Sequence, residues 1–160
     1  MIRGLIVLNA IYAFAIFALL VAILVNPKLL FAALGGLDGA GAWQLHAAMR
    51  AVAVVGIAGA YVAHRVLHEL LAIIDTVRHG DPFVASNARR LQAIAWWVLA
   101  GEGLRLLVRA IAWSVSGYAQ PLDIHIPFSF APWLAVLLLF VLARVFDQGA
   151  RMRADLEGTV

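Results

Sequence analysis

Polar positions are scarce along the chain and fall into a few intervals. Leu5 to Val25 is apolar apart from Asn9 and Tyr12. About 20 such residues cross a bilayer as a helix. Arg3 precedes the run as it would in a signal peptide, but the run exceeds a usual h-region and no small-x-small cleavage site precedes Asn26-Pro27. An uncleaved first span over residues 5–25 is expected. A connector follows, with Leu29-Leu30-Phe31 and glycines at 35, 36, 39 and 41, and Trp43 stands where an interfacial anchor belongs.

The second apolar segment spans residues 42–64, yet nothing breaks its helical pattern before Gly80. A helix from Trp43 to His79 is roughly 55 Å long, against about 30 Å of hydrocarbon. The surplus should project from the membrane. Val66, Leu67, Leu70, Ile73, Ile74 and Val77 recur there at helical spacing, and Arg65 and Glu69 form an i,i+4 pair. Gly80 suits a left-handed helix stop. Pro82 can open the next helix, with Asp81 as its N-cap. A third span follows Ser86-Asn87 and covers residues 91–113. Leu122 to Phe130 alternates apolar and polar residues, predicting an extended outer segment. The fourth span covers 131–147 and also overshoots: Val145, Phe146, Met152 and Leu156 recur among Asp147, Arg151, Arg153 and Asp155. This tail is expected to cover the apolar stripe on the second helix. The fold class predicted is an all-α, four-span membrane bundle with cytoplasmic extensions of the second and fourth spans.

Composition supports a membrane setting. Of 160 residues, 64% are hydrophobic and 13% charged, against about 45–50% and 25% in soluble domains. One membrane domain is expected, with the lipid bilayer as its first partner. Four spans put both termini and the central joint on one side. That side carries Arg3, Arg65, Arg78, Arg89, Arg90, Arg144, Arg151 and Arg153, while Lys28, Arg50, Arg105 and Arg109 lie elsewhere. The positive-inside rule then makes the termini and joint cytoplasmic in a multi-pass cell-membrane protein. Gly56, Gly59, Ala60 and Ala63 place small residues four apart, fit for close packing within the bundle, with a homodimer seam as the alternative.

Chemistry-bearing residues are few. Cysteine is absent, which removes thiol catalysis and thiolate metal sites. His64 and His68 have zinc spacing but no evident third ligand. Neither a hydrolase order nor a phosphate loop is present. No catalytic site, metal, cofactor or direct nucleic-acid contact is expected. Arg50, Glu102, Arg105 and Arg109 form a candidate intramembrane cluster. A lone charge at mid-bilayer costs about 2.5–3.5 kcal/mol on insertion scales, so pairing around Glu102 is expected. Such a cluster can lock helix register, sense a ligand or line a path.

Arg78-His79-Gly80-Asp81-Pro82-Phe83, then Asn87-Ala88-Arg89-Arg90-Leu91, and the terminal Leu142-Ala143-Arg144-Val145-Phe146 with Gly149, Arg151 and Asp155-Leu156-Glu157-Gly158-Thr159-Val160 resemble the bacterial membrane family called domain of unknown function 2975. Ser86 departs from the acidic residue often found before the asparagine. Members of that family are often encoded beside a small helix-turn-helix regulator of the Cro/C1 type. The resemblance implies a membrane protein that holds or restrains a transcription factor. The family-like residues Asp81, Pro82, Phe83, Asn87, Arg90, Arg151, Asp155 and Glu157 share the predicted cytoplasmic side and are the candidate partner-binding set. Arg90 can instead pair with Asp155 or Glu157 and tie the tail to the joint. The expected function is a non-enzymatic membrane regulator of a helix-turn-helix protein. A small transporter or channel using the Arg/Glu cluster is the alternative.

Overall fold

The computed structural model of the protein describes residues 2–25, 42–80, 84–116 and 129–157. Among these residues there are four helices and no strand: α1 (Ile2–Val25), α2 (Ala42–Arg78), α3 (Ala85–Val115) and α4 (Ala131–Glu157). Each is long and apolar enough to cross a membrane. The predicted outer connector, the Asp81-Pro82-Phe83 corner, most of the alternating segment and the last three residues lie outside the described set. Ser129 and Phe130, at the end of that alternating segment, precede α4 without strand structure.

α2 has 37 residues, or roughly 55 Å of helix. That exceeds the about 30 Å of a bilayer's hydrocarbon; no proline stands in the helix, and Gly56 and Gly59 are carried within it without a break. The chain turns at Gly80, which has φ +86°, a conformation glycine adopts without the Cβ penalty. α3 begins at Ala85 rather than at Pro82. Its first turn is closed by a 2.9 Å bond from Asn87 N to Val84 O; the expected roles of Asp81 and Pro82 fall outside the described residues. α3 therefore includes Ser86 and Asn87 and begins six residues before the predicted span.

The chain divides into two compact units. One holds Met1–Val7, Val62–Glu102 and Ser129–Val160; the other holds Leu8–Tyr61 and Gly103–Phe128. In the first, α2 and α3 run antiparallel, as pairings of Val62 with Gly101 and Thr76 with Asn87 show. The buried residues Asn87, Ala88, Leu91, Ile94, Ala95 and Glu102 trace one stripe of α3 at the three- and four-residue spacing of a core-facing helix. α4 meets α3 through Trp96 and Phe140, edge to face at 5.5 Å. Arg65 lies over the Trp97 ring, 5.5 Å from its centre, and reaches Glu69 at 3.7 Å.

In the second unit α1 packs antiparallel on α2. Asn9 Nδ2 donates to Ala60 O at 3.0 Å, and a Cβ on Gly56 would come within 3.2 Å of Ile16. The small residues thus divide by face. Gly56 and Ala60 admit α1, whereas a Cβ on Gly59 would meet nothing within 4 Å. Leu45, Ala48 and Val115 form a buried cluster with Ile111 against it, joining the start of α2 to the end of α3. Most large side chains of α1, among them Leu8, Ile11, Phe14 and Phe17, are exposed. That surface is suited to lipid rather than water.

Candidate functional site

The turn between α2 and α3 is braced from both sides. His79 N contacts the carbonyls of Asp75 and Thr76 at 3.3 and 3.2 Å, and Gly80 N bonds Val77 O at 3.1 Å. The carbonyls of the last turn would otherwise lack donors. His79 Nδ1 lies 2.6 Å from Asp75 O. A carbonyl only accepts, so that nitrogen carries the proton.

One turn inside, a polar relay crosses from α3 to α2. Arg90 Nη1 donates to Asn87 Oδ1 at 3.0 Å and to Ala72 O at 3.2 Å. Asn87 Nδ2 donates to Thr76 Oγ1 at 2.7 Å, and the Thr76 hydroxyl donates to Ile73 O at 2.7 Å. Asn87 Oδ1 also lies 3.0 Å from Thr76 Oγ1. The single hydroxyl proton is better used on Ile73 O, because Asn87 Oδ1 is already held by Arg90. Asn87 has no exposed surface at all. A buried amide survives only when its donors and acceptors are matched, and here they are. Sequence reasoning missed Thr76. Its signal was a hydroxyl on the last turns of α2 lying in antiparallel register with Asn87 across the glycine turn.

The candidate partner-binding residues separate by role. Asn87 is buried and supports the turn from within. Arg90 is engaged by Ala72 and Asn87. Arg151 is exposed and bonds Asp147 on its own helix at 2.8 Å. Asp155 is exposed and makes a contact within the protein. Asp81, Pro82, Phe83 and the Glu157 side chain lie outside the described residues.

The expected cover over the α2 stripe is incomplete. Ile74 and Val77 stay 40% and 49% exposed, and Val145 and Met152 on α4 are exposed as well. Helical periodicity gives each helix an apolar face but does not say that the two faces meet. An apolar patch beside exposed Arg78 is therefore open at the joint.

The charges expected to cluster in the membrane divide between the two units. Glu102 is 4% exposed at the edge of the joint unit, while Arg50, Arg105 and Arg109 belong to the other. Glu102, Arg105 and Arg109 each make contacts within the protein. Among the described residues, Arg50 Nε is buried without a hydrogen-bond partner, as is Gln44 Oε1. His64 and His68 stack with ring centres 4.4 Å apart. No group of three or more metal-ligating side chains occurs among the described residues.

A family model described as "Protein of unknown function (DUF2975)" matches residues 2–160. No curated protein and no solved structure matches the chain.

Proposed function

The chain belongs to the DUF2975 family of proteins of unknown function, and for it we propose a non-enzymatic, membrane-embedded regulator that docks a small cytosolic helix-turn-helix protein at the α2–α3 joint and the C-terminal helix. The observation that carries this reading is the exposed apolar pair Ile74 and Val77, next to Arg78, on a helix end held rigid by the Asn87 relay. Apolar surface on a segment projecting into water has a reason to exist when something covers it. A rigid platform also lowers the ordering cost of binding. The excess of basic residues on this side supports a cytosolic placement by the positive-inside rule.

Charge restricts how such a partner docks. Exposed Arg78, Arg89, Arg144, Arg151 and Arg153 lie among Asp75, Asp147 and Asp155, so the joint and tail carry mixed charge with a small basic excess. A DNA-reading surface is itself basic, so the partner presents an apolar or acidic face elsewhere on its own surface. The test is co-purification with a small Cro/C1-type helix-turn-helix protein, the kind of partner the family resemblance implies. Ile74→Glu combined with Val77→Glu should abolish capture and leave the thermal midpoint of the membrane protein close to wild type. Undiminished capture by that folded variant refutes the reading.

A transporter or channel is the second reading. It is favoured by the burial of Glu102 on a membrane-length helix. Loss of solute flux from proteoliposomes on Glu102→Gln, with the fold intact, supports it over docking.

A further inference from the structure

His64 and His68 lie one turn apart on α2, with ring centres 4.4 Å apart and ring planes inclined at 56°. Among the described residues neither ring nitrogen has a hydrogen-bond or ion-pair partner, whereas His79 is held by Asp75 O. The adjacent pair Arg65–Glu69 is turned away, because one residue is about 100° round a helix and Arg65 lies over Trp97 of α3. His64 is half-buried and His68, one turn further along, is exposed, so an aqueous ion can reach the pair. An imidazole nitrogen binds a divalent ion at about 2.0–2.1 Å, which puts the ion roughly 3 Å from the ring centre. Two such ligands at about a right angle have ring centres roughly 4.5 Å apart. The observed 4.4 Å matches that separation, so chelation asks for ring rotation and little backbone movement.

We propose that His64 and His68 chelate one late first-row divalent cation, with water in its remaining positions. Imidazole suits copper, nickel and zinc, and affinity for nitrogen ligands peaks at Cu²⁺. The chain has no thiolate to draw a softer ion. No third metal-ligating side chain joins the pair among the described residues. That argues against a closed four-ligand zinc site and leaves an open chelate. The site is independent of partner docking at the joint.

The experiment is calorimetric titration of Cu²⁺, Ni²⁺, Zn²⁺ and Mg²⁺ into the full chain in detergent, purified without a polyhistidine tag and stripped by chelator. Paramagnetic resonance is recorded on the copper sample. One Cu²⁺ per chain should bind, with nitrogen splitting from two imidazoles. Ni²⁺ and Zn²⁺ should bind more weakly, and Mg²⁺, which prefers oxygen, should not bind. His64→Ala and His68→Ala should each weaken Cu²⁺ binding roughly tenfold or more, since even a residue that only hydrogen-bonds a ligand contributes that much at metal sites. His46→Ala and His79→Ala should leave it unchanged. If His64→Ala does not fold, His68→Ala, on the exposed ring, carries the same expectation. A wild-type titration by folded His68→Ala, an equal loss in His46→Ala or His79→Ala, or a copper signal without two-imidazole splitting overturns the proposal.

Discussion

Replacing Asn87 by leucine tests whether the relay holds the joint. The side chain is fully buried and engages Arg90 and Thr76. A hydrogen bond to a charged group contributes about 1.5–3 kcal/mol, and a neutral one about 1 kcal/mol. Arg90 keeps Ala72 O and Thr76 keeps Ile73 O, so the loss stops at those two bonds. Asn87→Leu should therefore cost roughly 2–4 kcal/mol. Thr76→Val strands the Asn87 amide without its acceptor and should cost roughly 1–3 kcal/mol. In the double variant no amide is left to strand, so the combined loss should fall short of the two single losses by about 1 kcal/mol or more. Asn87→Asp keeps an acceptor for Arg90 and lets the Thr76 hydroxyl donate to it, and should lie nearer wild type than leucine. Denaturant unfolding in detergent, followed by tryptophan fluorescence, gives all four values. Strict additivity of the single losses, or an aspartate variant no better than leucine, refutes the relay.

Three further outcomes follow from the packing. Gly59→Ala meets open space and should stabilise by about 0.5–1 kcal/mol through helix propensity, whereas Gly56→Leu must displace Ile16 and should lose about 1–3 kcal/mol; paired unfolding curves distinguish them. Gly80→Ala forces a Cβ into the left-handed region and should destabilise by roughly 1–2 kcal/mol, with Gly80→Asn costing less in the same assay. Arg151→Ala removes an exposed pair with Asp147 and should change stability by less than about 1 kcal/mol while reducing capture of the partner in a pull-down.

The element lengths were legible because each rests on local chemistry. Apolar runs, the missing breaker between Trp43 and Gly80, and the glycine stop set α2 and its surplus before any packing is known. What escaped was pairing between elements. Thr76 and Asn87 are unremarkable polar residues until antiparallel register brings them together. Gly56 and Gly59 read as small residues on adjoining faces, but the spacing does not say that only Gly56 of the two closely meets a neighbouring helix. In the folded joint, burial of the Asn87 amide and the Val84–Asn87 bond fix the first turn of α3. Periodicity likewise supplied apolar stripes for α2 and α4 without showing that Ile74, Val77 and Met152 would stay open.

Because the chain has no cysteine, one engineered thiol reports which side of the membrane holds the joint. Arg78→Cys places it on the exposed last turn of α2, next to the apolar patch. A membrane-impermeant maleimide added to intact cells should leave position 78 unmodified, and the same reagent should label it fully once the inner membrane is permeabilised. Full labelling from outside intact cells would put the joint beyond the reach of any cytosolic protein and contradict the docking role.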